Sequence, residues 1–107
     1  RMKQSVGRKG YKMNYQIRPG VVLTEVCGEF LLLATLDAIQ YCPYVYQINE
    51  TAAFFWHLLE QGLAEDQMRE KIAAEYDVPE KEAHRDLRQF MNALMAQGYL
   101  LSEETRS

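Results

Sequence analysis

Residues 49–62 read NETAAFFWHLLEQG and predict the first of three helices. Asn49 is a good N-cap, because its side-chain oxygen can accept a hydrogen bond from a free N–H group of the first turn. Gly62 suits the left-handed conformation that commonly ends a helix. From residue 52 onward, apolar residues recur at i, i+3, i+4, i+7 and i+11 and form one stripe, which consists of Ala52, Phe55, Trp56, Leu59 and Leu63.

Two further helices follow. Residues 65–76 predict a second helix, whose acidic first turn lies at the positive end of the helix dipole and whose apolar stripe is Met68, Ile72 and Tyr76. A third helix begins near Pro79, which suits the first helical position, and ends at Gly98. We expect its core-facing stripe to be Ala83, Leu87, Phe90, Met91 and Leu94. Residues 99–101 then form an apolar tail or a final short strand.

Three strands precede the helices. Residues 21–27 are rich in β-branched side chains and predict a strand, and residues 30–33 are a short apolar run that a turn precedes, which favours a strand over a buried helix. After a connection over residues 36–43, residues 44–48 predict a third strand at the edge of the sheet, with Tyr44, Tyr46 and Ile48 on one face. The predicted fold is therefore α+β: a three-stranded antiparallel sheet followed by three helices, similar to a winged helix-turn-helix.

The 107 residues fit a single domain. Residues 1–18 contain six basic and no acidic side chains, so the remaining 89 residues carry a net charge of −9 within a total of −3. We interpret residues 1–16 as a basic flexible tail, 17–101 as the folded domain and 102–107 as a C-terminal tail. No apolar run reaches membrane-spanning length, and the first residues lack the apolar segment of a signal peptide. We therefore expect a cytoplasmic protein with no membrane contact.

Nothing in the sequence points to catalysis. His57 and His84 lie singly in predicted helices, and no nucleophile, nucleotide-binding or metalloprotease motif occurs. Cys27 and Cys42 are interpreted as reduced thiols, although a disulfide would form if the strands brought them together. No CxxC or HxxxH spacing indicates zinc. We expect no enzymatic activity, no metal and no cofactor.

Nucleic acid is one alternative partner. The second helix, the turn at residues 77–79 and the third helix follow the order of a helix-turn-helix, as in a winged-helix DNA-binding regulator. Affinity for DNA comes largely from cations that neutralise phosphates, yet residues 79–97 carry three basic and three acidic side chains. The charge therefore argues against DNA binding unless the basic tail does it alone.

The predicted edge strand suggests two other roles. An edge strand exposes unpaired N–H and C=O groups that can accept a further strand, and peptide-binding domains use this mode of recognition. A homodimer could form through the same edge. A short or covered edge fits these residues equally well, so from the residues alone the three readings stay open.

The order of residues also resembles a known family. Asn49-Glu50-Thr51-Ala52-Ala53, followed by Trp56, Leu59 and Gly62, resembles the L-N-x-T-A-x-x-I-W-x-x-L-x-x-G stretch of PqqD-like proteins. The resemblance covers about residues 17–101 and continues through Ile72, Tyr76-Asp77-Val78, Ala83, Asp86-Leu87, Phe90, Leu94 and Gly98-Tyr99-Leu100. PqqD proper carries an LxaPERvl stretch, where residues 33–38 here read LATLDA, so the wider PqqD-like group fits better than pyrroloquinoline quinone (PQQ) biosynthesis itself.

This resemblance implies a RiPP recognition element, a non-catalytic peptide chaperone. Such a domain binds the leader of a ribosomally synthesised precursor peptide and presents it to a modifying enzyme, often a radical SAM protein. The leader adds as a strand beside the third strand and lies against the third helix. By position, this implies that the peptide-binding residues are Tyr44, Val45, Tyr46 and Gln47 in the strand and Arg85, Gln89, Asn92 and Met95 in the helix.

Overall fold

The computed structural model describes residues 15–102. Its strands are β1 (Tyr15–Ile17), β2 (Val21–Val26), β3 (Glu29–Ala34), β4 (Val45–Ile48) and β5 (Leu100–Ser102). Its helices are α1 (Glu50–Glu60), α2 (Glu65–Tyr76) and α3 (Glu80–Gln97), and a 3₁₀ helix (Leu36–Gln40) joins β3 to β4. The strand order β2-β3-β4 forms an antiparallel sheet. The predicted α+β fold, a three-stranded antiparallel sheet followed by three helices, is confirmed.

A second, two-stranded sheet was not predicted. β1 pairs antiparallel with β5, from Tyr15 opposite Ser102 to Ile17 opposite Leu100. The final strand was one of two expectations for residues 99–101, but Tyr15 and Gln16 were read as tail and instead lie in β1. Three residues are too few to show a period, and the partner strand lies more than 80 residues away in the chain. Residues 1–14 and 103–107, which make up most of the two predicted tails, lie outside the described residues.

The hairpin between β2 and β3 turns on two residues. Cys27 and Gly28 have φ values of 51° and 80°, the pair of positive angles that a type I′ turn requires. Cys27 therefore belongs to the turn rather than to the strand predicted for residues 21–27, and its side chain is exposed.

The second cysteine, Cys42, is buried between the 3₁₀ helix and β4 in the chain, with its thiol 3.3 Å from the carbonyl oxygen of Ala38. Both thiols are free, so the disulfide alternative is wrong.

β3 is the central strand, as predicted. Leu32 and Ala34 are fully buried against the helices, while Leu31 and Leu33 are half-buried on the opposite face of the sheet. The alternation explains why the run at residues 30–33 shows no polar position: one face lies in the core, and the other is aliphatic as well.

Local signals place the helices where the sequence predicts. Asn49 caps α1, because its Oδ1 accepts a hydrogen bond of 2.8 Å from the Ala52 N–H, and Gly62 follows α1 with φ of 75°. Pro79 is the N-cap of α3 rather than its first helical residue, since its extended ψ of 150° places it before the helix. The largest fully buried side chains are Trp56, Tyr99, Leu32, Met68, Ile72, Leu87, Met91 and Leu94.

The C-terminal end of α3 is fixed beside the start of β4. The buried Tyr99 hydroxyl donates a 2.6 Å hydrogen bond to the carbonyl of Pro43, and its ring lies 5.3 Å from the ring of Tyr46. Gly98 ends the helix with φ of 91° and packs against the backbone of Tyr41. These contacts hold β4 alongside α3.

Replacing Tyr99 by Phe should change the response of stability to alkaline pH. Burial, reinforced by Cys42 and Tyr46, raises the pKa of Tyr99 from 10.0 to about 12. Because the folded state holds this proton more tightly than the unfolded state, its stabilisation is complete below pH 10 and is lost as pH rises toward 12. We expect Tyr99→Phe to cost about 1 kcal/mol at neutral pH for the lost hydrogen bond.

The same variant should decline less steeply than wild type between pH 10 and 11. Urea unfolding of both proteins from pH 7 to 11 measures this difference. Two curves that stay parallel over that range would show that Tyr99 does not titrate as its burial implies.

Candidate functional site

The register between β3 and β4 determines which backbone groups of β4 form hydrogen bonds with β3. The N–H of Ala34 donates to the carbonyl of Tyr44 at 3.0 Å, and the register continues without a bulge along β4. In an antiparallel pair, hydrogen-bonded and non-hydrogen-bonded residue pairs alternate. The pairs that share backbone hydrogen bonds are therefore Ala34–Tyr44, Leu32–Tyr46 and Phe30–Ile48.

Val45 and Gln47 consequently turn their N–H and C=O groups away from β3. β4 is the last strand of its sheet, and within residues 15–102 no strand pairs with its outer side. Both side chains are exposed, and that of Val45 is 46% accessible. The outer edge of β4 thus offers two donors and two acceptors to an added strand.

A groove lies at the C-terminal end of this edge. It has a volume of about 330 Å³ and lies between the first turns of α1, which follows β4 directly, and the middle of α3. The rings of Phe55 and Phe90 meet edge to face within it, with centroids 5.5 Å apart. The lining residues are Asn49, Thr51, Ala52, Phe55, Asp86, Gln89 and Phe90.

α3 runs alongside β4 in the opposite direction. Tyr99, just beyond the C-terminal end of α3, contacts Tyr46 in β4, whereas Asp86 and Phe90 lie near the residues that follow β4. With about 100° per residue, the helix places Ala93 and Gln97 on the same flank as Asp86 and Phe90. From these two contacts we infer that the free edge and this flank of α3 border the same surface.

The predicted strand residues divide into two kinds. The backbone groups of Val45 and Gln47 face outward, whereas those of Tyr44 and Tyr46 are used to pair with β3. Tyr44 itself precedes β4, and its side chain is 63% exposed. The prediction that Tyr44, Tyr46 and Ile48 share one face agrees with the pairing.

Among the predicted helix residues, only Gln89 lines the groove. Arg85 and Asn92 are exposed on the back of α3, more than 90° around the helix from Asp86 and Phe90. Met95 is half-buried against the core, and it lies on the flank that carries Arg88 rather than on the groove side. The structure therefore does not bring these three side chains to the groove.

Phe90 and Asp86 are the groove residues of α3 that the sequence did not assign to a site. Phe90 was predicted to be core, but it is only half-buried, because it lies at the margin of the apolar stripe. The lining residues from α1 were missed as well. One sequence feature could have indicated them: no linker separates the edge strand from Asn49, so the first turn of α1 must lie at the end of β4.

Several of the other polar side chains pair with one another at the surface. Nδ1 of His57 lies 3.0 Å from Oε1 of Glu60, and Arg88 bridges the carboxylate of Glu65 in α2 to the hydroxyl of Tyr15 in β1. Among residues 15–102, no group of three His, Cys, Asp or Glu side chains is placed to hold a metal ion. No helix in that range is long and apolar enough to cross a membrane.

Comparisons with known proteins point to one family. The profile of Coenzyme PQQ synthesis protein D (PqqD) matches residues 42–100, which include β4 and all three helices. A solved structure of TbiB1 in complex with the TbiA(beta) leader peptide is 29% identical, with a TM-score of 0.66, over 79% of this chain and 93% of that chain. No curated protein matches the chain.

A second solved structure has the same fold. It is a lasso peptide synthetase B1 complexed with the leader peptide, and it is similar to this chain with a TM-score of 0.68 at 23% identity. The similarity covers 82% of this chain and 98% of that chain.

Proposed function

The chain belongs to the PqqD family, as its sequence predicts, and from this premise we propose that it is a non-catalytic adaptor that binds a leader peptide. The peptide, the leader of a ribosomally synthesised precursor, adds as a fourth strand to the sheet. The observation that carries this proposal is the outer edge of β4, where Val45 and Gln47 leave four backbone groups unpaired within the described chain. TbiB1, which is 29% identical, binds a leader peptide in its solved structure and supports it.

The geometry gives the peptide a direction. Antiparallel pairing, the more stable and more frequent arrangement, makes the peptide run opposite to β4. Since β4 runs toward the groove, the N-terminal part of the bound segment lies over the groove and its C-terminal part leaves near Tyr44. An apolar side chain that enters the groove beside Phe55 and Phe90 contributes roughly 1.5–3 kcal/mol.

Presentation to an enzyme follows from this arrangement. The part of the precursor beyond the leader leaves the sheet near Tyr44 and remains accessible to a second protein. The family resemblance makes that protein a modifying enzyme, with a radical SAM protein as the class most often implied. In this proposal residues 17–101 form the binding domain, and the complex works in the cytoplasm.

An NMR titration tests the proposal. The probe is a synthetic peptide with the sequence of the leader encoded beside this gene, added to the ¹⁵N-labelled chain. We expect saturable shifts of the Val45 and Gln47 amides and of the groove residues, with a dissociation constant in the micromolar range or below, since association costs offset much of the contact energy. No shifts at 100-fold excess would contradict the proposal.

Self-association through the same edge is the competing use of β4. Light scattering of the free chain and of the peptide complex distinguishes self-association from peptide binding. A monomer in both states, or a dimer that the peptide dissociates, supports peptide binding. A dimer that persists at saturating peptide, with no shift at Val45 or Gln47, would assign the edge to self-association.

A further inference from the structure

We propose that Asp86 makes the groove selective for a basic side chain, so that the chain prefers leaders with Lys or Arg beside an apolar anchor. This inference rests on the proposed function and adds the class of peptide. By the direction derived above, both side chains precede the segment that pairs with β4. The apolar side chain contacts Phe55 and Phe90, and the cation meets the carboxylate of Asp86.

Within residues 15–102, Asp86 is a carboxylate without a cation partner. It lines the groove and is exposed, and no ion pair or side-chain hydrogen bond joins it to another described residue. Two other acids of the helices do have cation partners: Glu65 binds Arg88 at 3.3 Å, and Glu80 binds Arg69 at 3.4 Å. A charge left at the mouth of an apolar groove is available to a ligand.

The charges around Asp86 are of the same sign. Glu82 precedes it by about one turn of α3, and Glu50 lies in the first turn of α1 between the lining residues Asn49 and Thr51. Neither has a cation partner within residues 15–102. The nearest basic side chain in the sequence, Arg85, projects about 100° away around the helix, and Arg88 is held on the opposite side by Glu65.

Two further contributions affect the sign of the electrostatic potential in the groove. The N-terminus of α1 carries the equivalent of about half a positive charge, but Asn49 caps one of its free N–H groups. One full negative charge at Asp86 therefore exceeds it. Over residues 15–102, thirteen acidic side chains face six basic ones, so the surrounding field also attracts a cation.

Selection from a displayed library of random twelve-residue peptides tests the inference. Wild type should enrich peptides that carry Lys or Arg next to an aromatic or aliphatic residue. The control variant Glu75→Lys replaces an exposed acid of α2 outside the groove with Lys and should enrich the same peptides. Asp86→Lys should lose that preference or replace it with Glu or Asp. We expect the change in affinity to be roughly two- to fivefold for one partly exposed ion pair.

A double-mutant cycle on one selected peptide assigns the effect to Asp86. Changing the basic residue of the peptide to Gln should weaken binding roughly two- to fivefold on wild type and hardly at all on Asp86→Asn. Equal losses on both proteins, or enrichment without a basic residue, would overturn this inference and leave the proposed function intact. If wild type enriches no peptide and does not bind the encoded leader, the proposed function fails first.

Discussion

We expect the Gln47→Pro variant to fold normally and to bind the leader peptide roughly 10- to 100-fold more weakly than wild type. The N–H of Gln47 points to the open side of β4 and makes no bond to β3, so its removal breaks no hydrogen bond of the sheet. Proline is tolerated on the outer edge of a sheet for this reason. A visiting strand, in contrast, loses one donor, worth about 1 kcal/mol, and meets the pyrrolidine ring where its own backbone should lie.

The opposite edge of the sheet provides a matched control. The Thr35 N–H donates to the Gly20 carbonyl at 2.8 Å. Because hydrogen-bonded and non-hydrogen-bonded pairs alternate from there along β2, the N–H and C=O groups of Glu25 face away from β3, as those of Gln47 do in β4. Glu25→Pro therefore makes the same chemical change at an edge that the proposal leaves unused. Calorimetric titration should find wild-type affinity for Glu25→Pro, with urea unfolding unchanged in both variants. If Gln47→Pro binds as tightly as Glu25→Pro, the peptide does not add to β4.

Features with local causes could be predicted from the sequence. The cap at Asn49, the glycine after α1 and the apolar stripes depend on neighbours within a few residues. The cap and the glycine appear where the sequence places them, and the stripes do so except at their margins, where Tyr76 is exposed and Phe90 is half-buried. The edge position of the third strand was predictable for another reason. A meander of three strands leaves its last strand at one end, provided that no later segment pairs with it.

Features that depend on distant partners could not be predicted. β1 consists of three residues that pair with β5 at the other end of the described chain, so no local pattern marks it. The groove-facing side of α3 is a similar case. The stripe at Leu87, Met91 and Leu94 fixes which side is buried, but either flank of that stripe could have met α1. The position of α1 selects the flank of Asp86 and Phe90 rather than that of Met95.

Gly98 should be the position where a single added methyl group destabilises the fold most clearly. We expect Gly98→Ala to lower the free energy of unfolding by roughly 2–4 kcal/mol, whereas Gly62→Ala should cost about 1 kcal/mol. Both glycines follow a helix with positive φ, 91° and 75°, so both variants force alanine into the left-handed region. A Cβ at Gly62 meets open space, but one at Gly98 collides with the carbonyl oxygen of Tyr41 and lies 3.2 Å from the Cβ of Cys42.

The difference between the two variants in free energy of unfolding separates the packing contribution from the backbone strain that both share. Urea unfolding of both variants and of wild type measures it. The collision at Gly98 also reaches the site, because the next residue, Tyr99, holds the Pro43 carbonyl at the entry to β4. At a temperature where Gly98→Ala remains folded, we therefore expect weaker leader binding than for Gly62→Ala. Equal losses of stability would mean that the loop at Tyr41 yields freely, and the end of α3 would then not be what holds β4 in position.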